Sequence, residues 1–204
     1  MPRRVVLFGG TFDPVQLGHT AIAEQTVREL TPDEFRFVVA NIPGERRPVH
    51  APAEVRLEMV RAAVGGDARF VVDDSEIRRG GETYTHDTMR ELHRLHPDTV
   101  FLLLLGVDSA RSIRAWRHGD ALLRSERFVV VERAGEEEFT LDEARCIGYD
   151  VSHLQLLHVS SPPVSASDVR RRAARGESLD GLVAPAVAAI IRRDGLYAPG
   201  PARA

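Results

Sequence analysis

Six consecutive apolar residues, Val100-Phe101-Leu102-Leu103-Leu104-Leu105, leave this segment no polar face. Such a run, closed by Gly106-Val107-Asp108-Ser109, reads as a strand buried on both sides. A sheet containing it has to be covered above and below by helices, and the chain supplies them in alternation. Apolar strands are expected at residues 5–8, 35–40, 70–72, 128–131 and 154–159. Helical periodicity follows Asp13-Pro14, spans 53–64, runs from Thr83-Tyr84-Thr85 to about Leu95, continues from Ser109 through Trp116, and returns at 166–175 and 186–193, with Pro185 in the last first turn. The pattern predicts an α/β fold with a doubly wound parallel sheet. Residues 41–48, punctuated by prolines, and the polar stretch 73–81 read as loops, and 136–149 as irregular or weakly helical.

With 204 residues and no repeat, linker or shift in composition, a single domain over residues 1–204 is expected, with a frayed tail at about 199–204. A formal charge of −3 argues against a general nucleic-acid binder. No apolar run approaches the roughly 20 residues of a membrane span, and the N-terminus leads into a strand rather than a signal peptide. One cysteine, Cys146, fits a reducing compartment, so cytoplasm is the default, and the residue is expected to serve packing.

In open parallel sheets ligands bind beyond the carboxyl ends of the strands, near a topological switch point. The unusual stretches of this chain follow Phe8, Ala40, Leu105, Val131 and Val159, all at such ends. The first reads Val5-Val6-Leu7-Phe8-Gly9-Gly10-Thr11-Phe12-Asp13-Pro14, with Gly18-His19 shortly after. Gly9 and Gly10 are expected to turn the chain and admit a ligand close to the backbone. Gly18 and His19 fall at a helix start, whose unpaired N–H groups and partial positive charge suit phosphate. The spacing is neither the dinucleotide fingerprint nor a Walker loop.

Gly-Gly-Thr-Phe-Asp-Pro followed by Gly18-His19 resembles the nucleotidyltransferase signature GGTFDPxHxGH, with Gln16 in place of the first histidine. Val164-Ser165-Ala166-Ser167-Asp168-Val169-Arg170 is similar to the second motif of that superfamily, ISSTxIR. Within it the chain most resembles the nicotinate-mononucleotide adenylyltransferases. The stretches that carry this are Glu82 to Thr88 (like SYTxDT), Gly106 to Ser109 (like GxDS), Trp116 at its distance from Asp108, and the ending Asp194-Gly195-Leu196-Tyr197. The resemblance implies a Rossmann-like nucleotidyltransferase fold that transfers the adenylyl group of ATP to nicotinate mononucleotide, giving deamido-NAD and pyrophosphate. Mg²⁺ would arrive with ATP, with no dedicated protein metal site.

The resemblance also implies roles. His19, Gln16 and Arg170 are the candidate catalytic residues. Gly9, Gly10, Thr11, Phe12, Gly18, Gly106, Asp108, Arg133, Ser165 and Ser167 are candidates for the nucleotide. Trp116 would stack on the pyridine ring, Tyr84 and Thr85 would hold its carboxylate, and Arg46 would meet phosphate. Bland alternatives exist: Ser165 and Asp108 as helix caps, and Arg171 and Arg172 as a solvated face. His19 can donate to a phosphate oxygen and, if protonated, offset developing charge; Gln16 can donate but carries no charge. The family's PPHK or PPHR loop is replaced here, with Glu45 and Arg46 at those places and His50 as a substitute if the loop is shifted. Gln16 and Glu45 keep open a paralogue with another phosphorylated acceptor or with nucleotide-hydrolysing activity, and a non-catalytic nucleotide binder. No nucleic-acid or membrane partner is expected, and a homo-oligomer is left open.

Overall fold

The computed structural model describes residues 2–44, 49–135 and 137–198. In chain order its elements are β1 (Arg3–Gly10), α1 (Leu17–Leu30), β2 (Glu34–Val39), β3 (Ile42–Pro43), α2 (Ala53–Val64), β4 (Phe70–Asp73), α3 (Ser75–Arg79), β5 (Glu82–Thr83), α4 (Thr85–Leu95), β6 (Thr99–Gly106), α5 (Val107–Ser112), α6 (Gly119–Ser125), β7 (Arg127–Arg133), α7 (Leu141–Ile147), β8 (Leu154–Val159), α8 (Ala166–Ala174) and α9 (Pro185–Arg193). Six strands form one parallel sheet in the order β4-β2-β1-β6-β7-β8, while β3 and β5 pair separately. Winding runs outward from β1 to β4, then returns to β6 and runs the other way, so the switch point lies between β1 and β6.

Side-chain alternation divides each strand between two cores. Val6, Phe8, Phe35, Phe37, Leu102 and Leu104 pack with Ile22 of α1, Leu57 and Val60 of α2 and Val187 and Ile191 of α9. Val5, Leu7, Phe101, Leu103, Leu105 and Phe128 pack on the other side with Met89 and Leu92 of α4, Ala110 and Leu122. The expected central strand is therefore covered on both faces. Register sets Gly10 beside Val39, Gly106 beside Val131 and Arg133 beside Val159. The candidate loops thus leave the sheet at one level, on one edge.

Several elements differ from the sequence reading. Residues 75–79, read as loop, form the single turn α3, started by the Asp73 carboxylate, which accepts from the Ser75 amide at 2.7 Å. Helix α6 was not anticipated: it is short and follows His118, whose φ of 59° breaks the preceding helical path. The helix expected through Trp116 ends at Ser112 and continues as a 3₁₀ turn over Ile113–Ala115. Residues 141–147 form α7, capped by the Thr140 hydroxyl, which accepts from the Glu143 amide at 3.1 Å. Cys146 on α7 is exposed rather than packed. The proline-rich loop contributes the short strand β3. Glu45, Arg46 and the tail at 199–204 lie outside the described residues.

Helix α2 buries Arg56, Leu57, Met59 and Val60, with Val55, Ala62 and Ala63 only partly covered. Arg56 is 1% exposed. Its guanidinium donates to the carbonyls of Thr11 (2.7 Å), Ala40 (2.7 Å), Asn41 (2.6 Å) and Ala51 (3.0 Å). It therefore ties the exit of β1 to the exit of β2. Replacing Arg56 with Met, similar in length but without donors, strands these acceptors, and hydrogen bonds to a charged group contribute about 1.5–3 kcal/mol each before relaxation. Arg56→Met is expected to lower unfolding free energy by about 3 kcal/mol or more, read from the urea midpoint at constant slope.

Candidate functional site

The loop after β1 does not turn as expected. Gly9 and Gly10 complete the strand without left-handed φ, and the left-handed residue is Phe12, at 49°. Glycine is required at position 10 for space, since a Cβ there would lie 2.7 Å from the Phe12 ring. At Gly9 a Cβ would meet nothing within 4 Å, which leaves the floor of a cavity open. The Phe12 ring folds back against Phe8 and Phe37.

Asp13 is buried and anchors the loop. Its carboxylate accepts from the His50 amide (2.7 Å), the Ala51 amide (3.2 Å) and the Tyr197 hydroxyl (2.8 Å). Burial and the neighbouring Asp13 charge push the Tyr197 phenol well above its ordinary pKa. His50 is engaged here, with Nδ1 3.3 Å from Asp13, so the structure gives no support to its use as a substitute phosphate ligand. The Asp13 carbonyl accepts from Arg170 at 2.7 Å. That bond joins the two sequence motifs directly, and within the second motif Arg170 also donates to Ser167 Oγ at 3.3 Å.

Gln16 is 5% exposed and is the N-cap of α1. Its Oε1 accepts from the amides of Gly18 and His19, and its Nε2 donates to the Val164 carbonyl at 3.0 Å. Both ends of the amide are therefore engaged within the protein, and Gln16 acts as a tether between the two motifs, with one of the two Nε2 protons used in doing so. Gly18 follows from this cap, because a Cβ there would lie 2.6 Å from Gln16 Oε1. The helix start is also not a set of vacant donors. The Leu17 amide donates to the Leu182 carbonyl at 2.9 Å, and those of Gly18 and His19 are taken by Gln16. Among the described residues the amides of Thr11 and Phe12 donate to no protein acceptor, so the main-chain donors left here belong to the β1–α1 loop and not to the helix start.

The Gln16 amide donates to His19 Nδ1 at 3.1 Å, completing a reciprocal cap. Nδ1 is then an acceptor, and the neutral ring carries its proton on Nε2. The ring sits against the edges of Phe8 and Phe12, at centroid distances of 5.9 and 5.2 Å. Burial, with a smaller contribution from the Arg133 charge, lowers its pKa from 6.5 to about 4. His19 is neutral at pH 7, not the charged imidazole that the sequence left open. Fixed positive charge at this end comes from Arg133 and from the dipole of α1.

Ser165 is exposed and caps α8, accepting from the Asp168 amide at 3.1 Å, so the cap reading holds for it. Asp108 is exposed in the first turn of α5, where the cap is Gly106, so it is not the cap. Arg171 and Arg172 pair with Asp168 on the outer face of α8. Arg133 lines a cavity of about 410 Å³ with Glu132, Gly135 and Ser160 at the ends of β7 and β8.

A larger cavity, about 560 Å³, opens at the switch point. Gly9, Gly10 and Thr11 border it, Leu103 and Leu105 line it, and Tyr84, Thr85 and Trp116 reach it from α4 and the turn before α6. Its size and mostly apolar wall suit a small organic ligand. The three residues expected at one ring are thus brought together. Arg117 and the buried Glu76 also line this cavity, and neither was singled out from the sequence.

The profile of the cytidylyltransferase-like family matches residues 7–172. A probable nicotinate-nucleotide adenylyltransferase of Exiguobacterium sibiricum is 37% identical over 195 residues, covering 96% of this chain and 99% of the relative. One from Thermus thermophilus is 39% identical over 194 residues, covering 95% and 99%. This chain belongs to the nicotinate-nucleotide adenylyltransferase family. It is accordingly a nucleotidyltransferase. The solved structure of Plasmodium falciparum nicotinic acid mononucleotide adenylyltransferase complexed with NaAD has a TM-score of 0.78 at 19% identity, covering 96% of this chain and 97% of that one, and it shows the same fold.

Gln16→Ala removes the cap of α1 and the tether to Val164 together. Loss of a side-chain N-cap is typically worth about 1–2 kcal/mol, and a drop of at least that size in unfolding free energy is expected by denaturant titration.

Proposed function

We propose that this chain transfers the adenylyl group of ATP to nicotinate mononucleotide, giving deamido-NAD and pyrophosphate. The observation that carries the reading is the switch-point cavity, whose rim is Gly9 to Thr11 and whose far wall is Tyr84, Thr85 and Trp116. It suits a flat heteroaromatic stacked on the indole, with the attached phosphate directed toward the strand ends. Full-length similarity to relatives of that name supports the same acceptor.

A phosphate monoester is anionic near neutral pH, so no strong base is needed. One acceptor oxygen attacks the α-phosphorus in line, the bond to the bridging oxygen breaks, and pyrophosphate leaves with that electron pair. In this reading His19 Nε2–H donates to a phosphate oxygen as a neutral group, and the Thr11 and Phe12 amides add main-chain donors. Arg133 and Arg170 supply charge, and the Asp108 carboxylate suits the ribose hydroxyls. Ser167 and Ser165 lie at the start of α8, beside Arg170.

Nucleotidyltransferases of this kind use a divalent metal with ATP, and Mg²⁺ is the proposed ion. Among the described residues no cluster of three His, Cys, Asp or Glu side chains could hold one. In this reading the ion is held mainly by phosphates and water, with Asp108 in the first turn of α5 the candidate carboxylate on the nucleotide side. Bound there, it would neutralise phosphate charge. Among the described residues no helix is long and apolar enough to cross a membrane; cytoplasm remains the proposed compartment.

Purified protein given ATP, Mg²⁺ and nicotinate mononucleotide is expected to release pyrophosphate and form the dinucleotide. His19→Ala should lower kcat by about a hundredfold or more with an unchanged circular dichroism spectrum. Nucleotide cleavage without any acceptor, or ATP binding without turnover, would contradict the transferase reading.

A further inference from the structure

Among the described residues, the two charged side chains that line the switch-point cavity differ in availability. Glu76 is 7% exposed, and its Oε1 accepts from the Thr88 hydroxyl, which in turn accepts from Arg79 at 2.9 Å. Burial raises its pKa. This carboxylate is committed to holding α3 against α4. Arg117 is exposed, and its guanidinium sits over the Tyr84 ring, 4.4 Å from the centroid. No carboxylate of the described residues forms an ion pair with it. A guanidinium held by its face keeps its N–H fork in the plane, where a carboxylate can accept two parallel bonds.

Tyr84 is also the residue before α4. Its side chain makes no cap, and its hydroxyl is directed to Glu82 at 2.5 Å. Among the described residues the Thr85 and His86 amides donate to no acceptor. The positive end of an eleven-residue helix and the Arg117 fork therefore meet at one side of the cavity, the side that carries Trp116. The Tyr84 ring lies against Gly44, where a Cβ would fall 2.4 Å from it.

We propose that the Arg117 side chain selects the acid over the amide form of the pyridine mononucleotide by pairing with the ring carboxylate. The assignment rests on the adenylyl-transfer reading above. A carboxamide presents one oxygen and a donor NH₂ to this fork, so it accepts at most half the pairing and brings a donor to a positively charged wall.

The test is kcat/KM for nicotinate mononucleotide and for nicotinamide mononucleotide, at saturating ATP and Mg²⁺, in wild type, Arg117→Ala, Arg117→Gln and Arg117→Lys. The expected result is an acid-to-amide ratio that falls about tenfold or more in the Ala and Gln variants, the scale of one charge-assisted bond. Most of the change should lie in KM for the acid. Lys, which keeps charge without the fork, should recover part of the ratio. Wild-type turnover with an unaltered ratio in both the Ala and Gln variants overturns the assignment alone. Wild-type protein that uses neither acceptor overturns the transferase reading and this assignment with it.

Discussion

The amide of Gln16 is the interaction on which the site depends. The side chain caps α1 and holds the first motif to the Val164 carbonyl of the second, while the backbone N–H of the same residue fixes the tautomer of His19. The side chain makes three bonds inside the protein, two through Oε1 and one through Nε2. The departure from the superfamily signature therefore acts on placement. Histidine at position 16 would bring two ring nitrogens where the glutamine offers an oxygen and an amide at the end of a longer arm. Gly18 is adapted to that arm, since any side chain there would strike Oε1.

This arrangement decides how charge is handled. Two phenylalanine rings and a neighbouring guanidinium keep His19 neutral, so its contribution is a preset donor rather than a cation. Transfer between two anionic phosphates still needs positive charge, and in the proposed reaction Arg133, Arg170 and the helix dipoles supply it. A neutral donor in a partly apolar cage needs little reorganisation as charge shifts. Its protonation is also insensitive to pH across the range in which a phosphate monoester takes on its second charge.

The sheet was legible in the sequence because strands with no polar face and helices with periodic apolar residues point to the same layered answer. Leu154–Val159 and Ala53–Val64 have the bounds expected of them. What was missed is short or internally compensated. Helix α3 follows a turn closed by the Asp73 carboxylate on the Ser75 amide, and α6 follows a left-handed residue, neither of which produces periodicity. Arg56 left one signal: a charge on the face that also carries Met59 and Val60. At the candidate site, order along the chain placed the loops at one end of the sheet, and Tyr84, Thr85 and Trp116 do converge on one cavity. Partners could not be read in the same way. That Asp13 and the Gln16 Nε2 bind protein, and that the Leu17 amide is already occupied, depends on contacts with residues more than thirty or a hundred positions away.

The central claim is that a capping glutamine holds His19 as a neutral donor through Nε2. The most direct measurement is ¹⁵N NMR of the imidazole nitrogens, followed against pH in protein labelled at histidine. The account predicts an Nε2–H tautomer for His19 with no protonation until pH falls to about 4. A titration midpoint near the ordinary 6.5, or a proton resting on Nδ1, would contradict it.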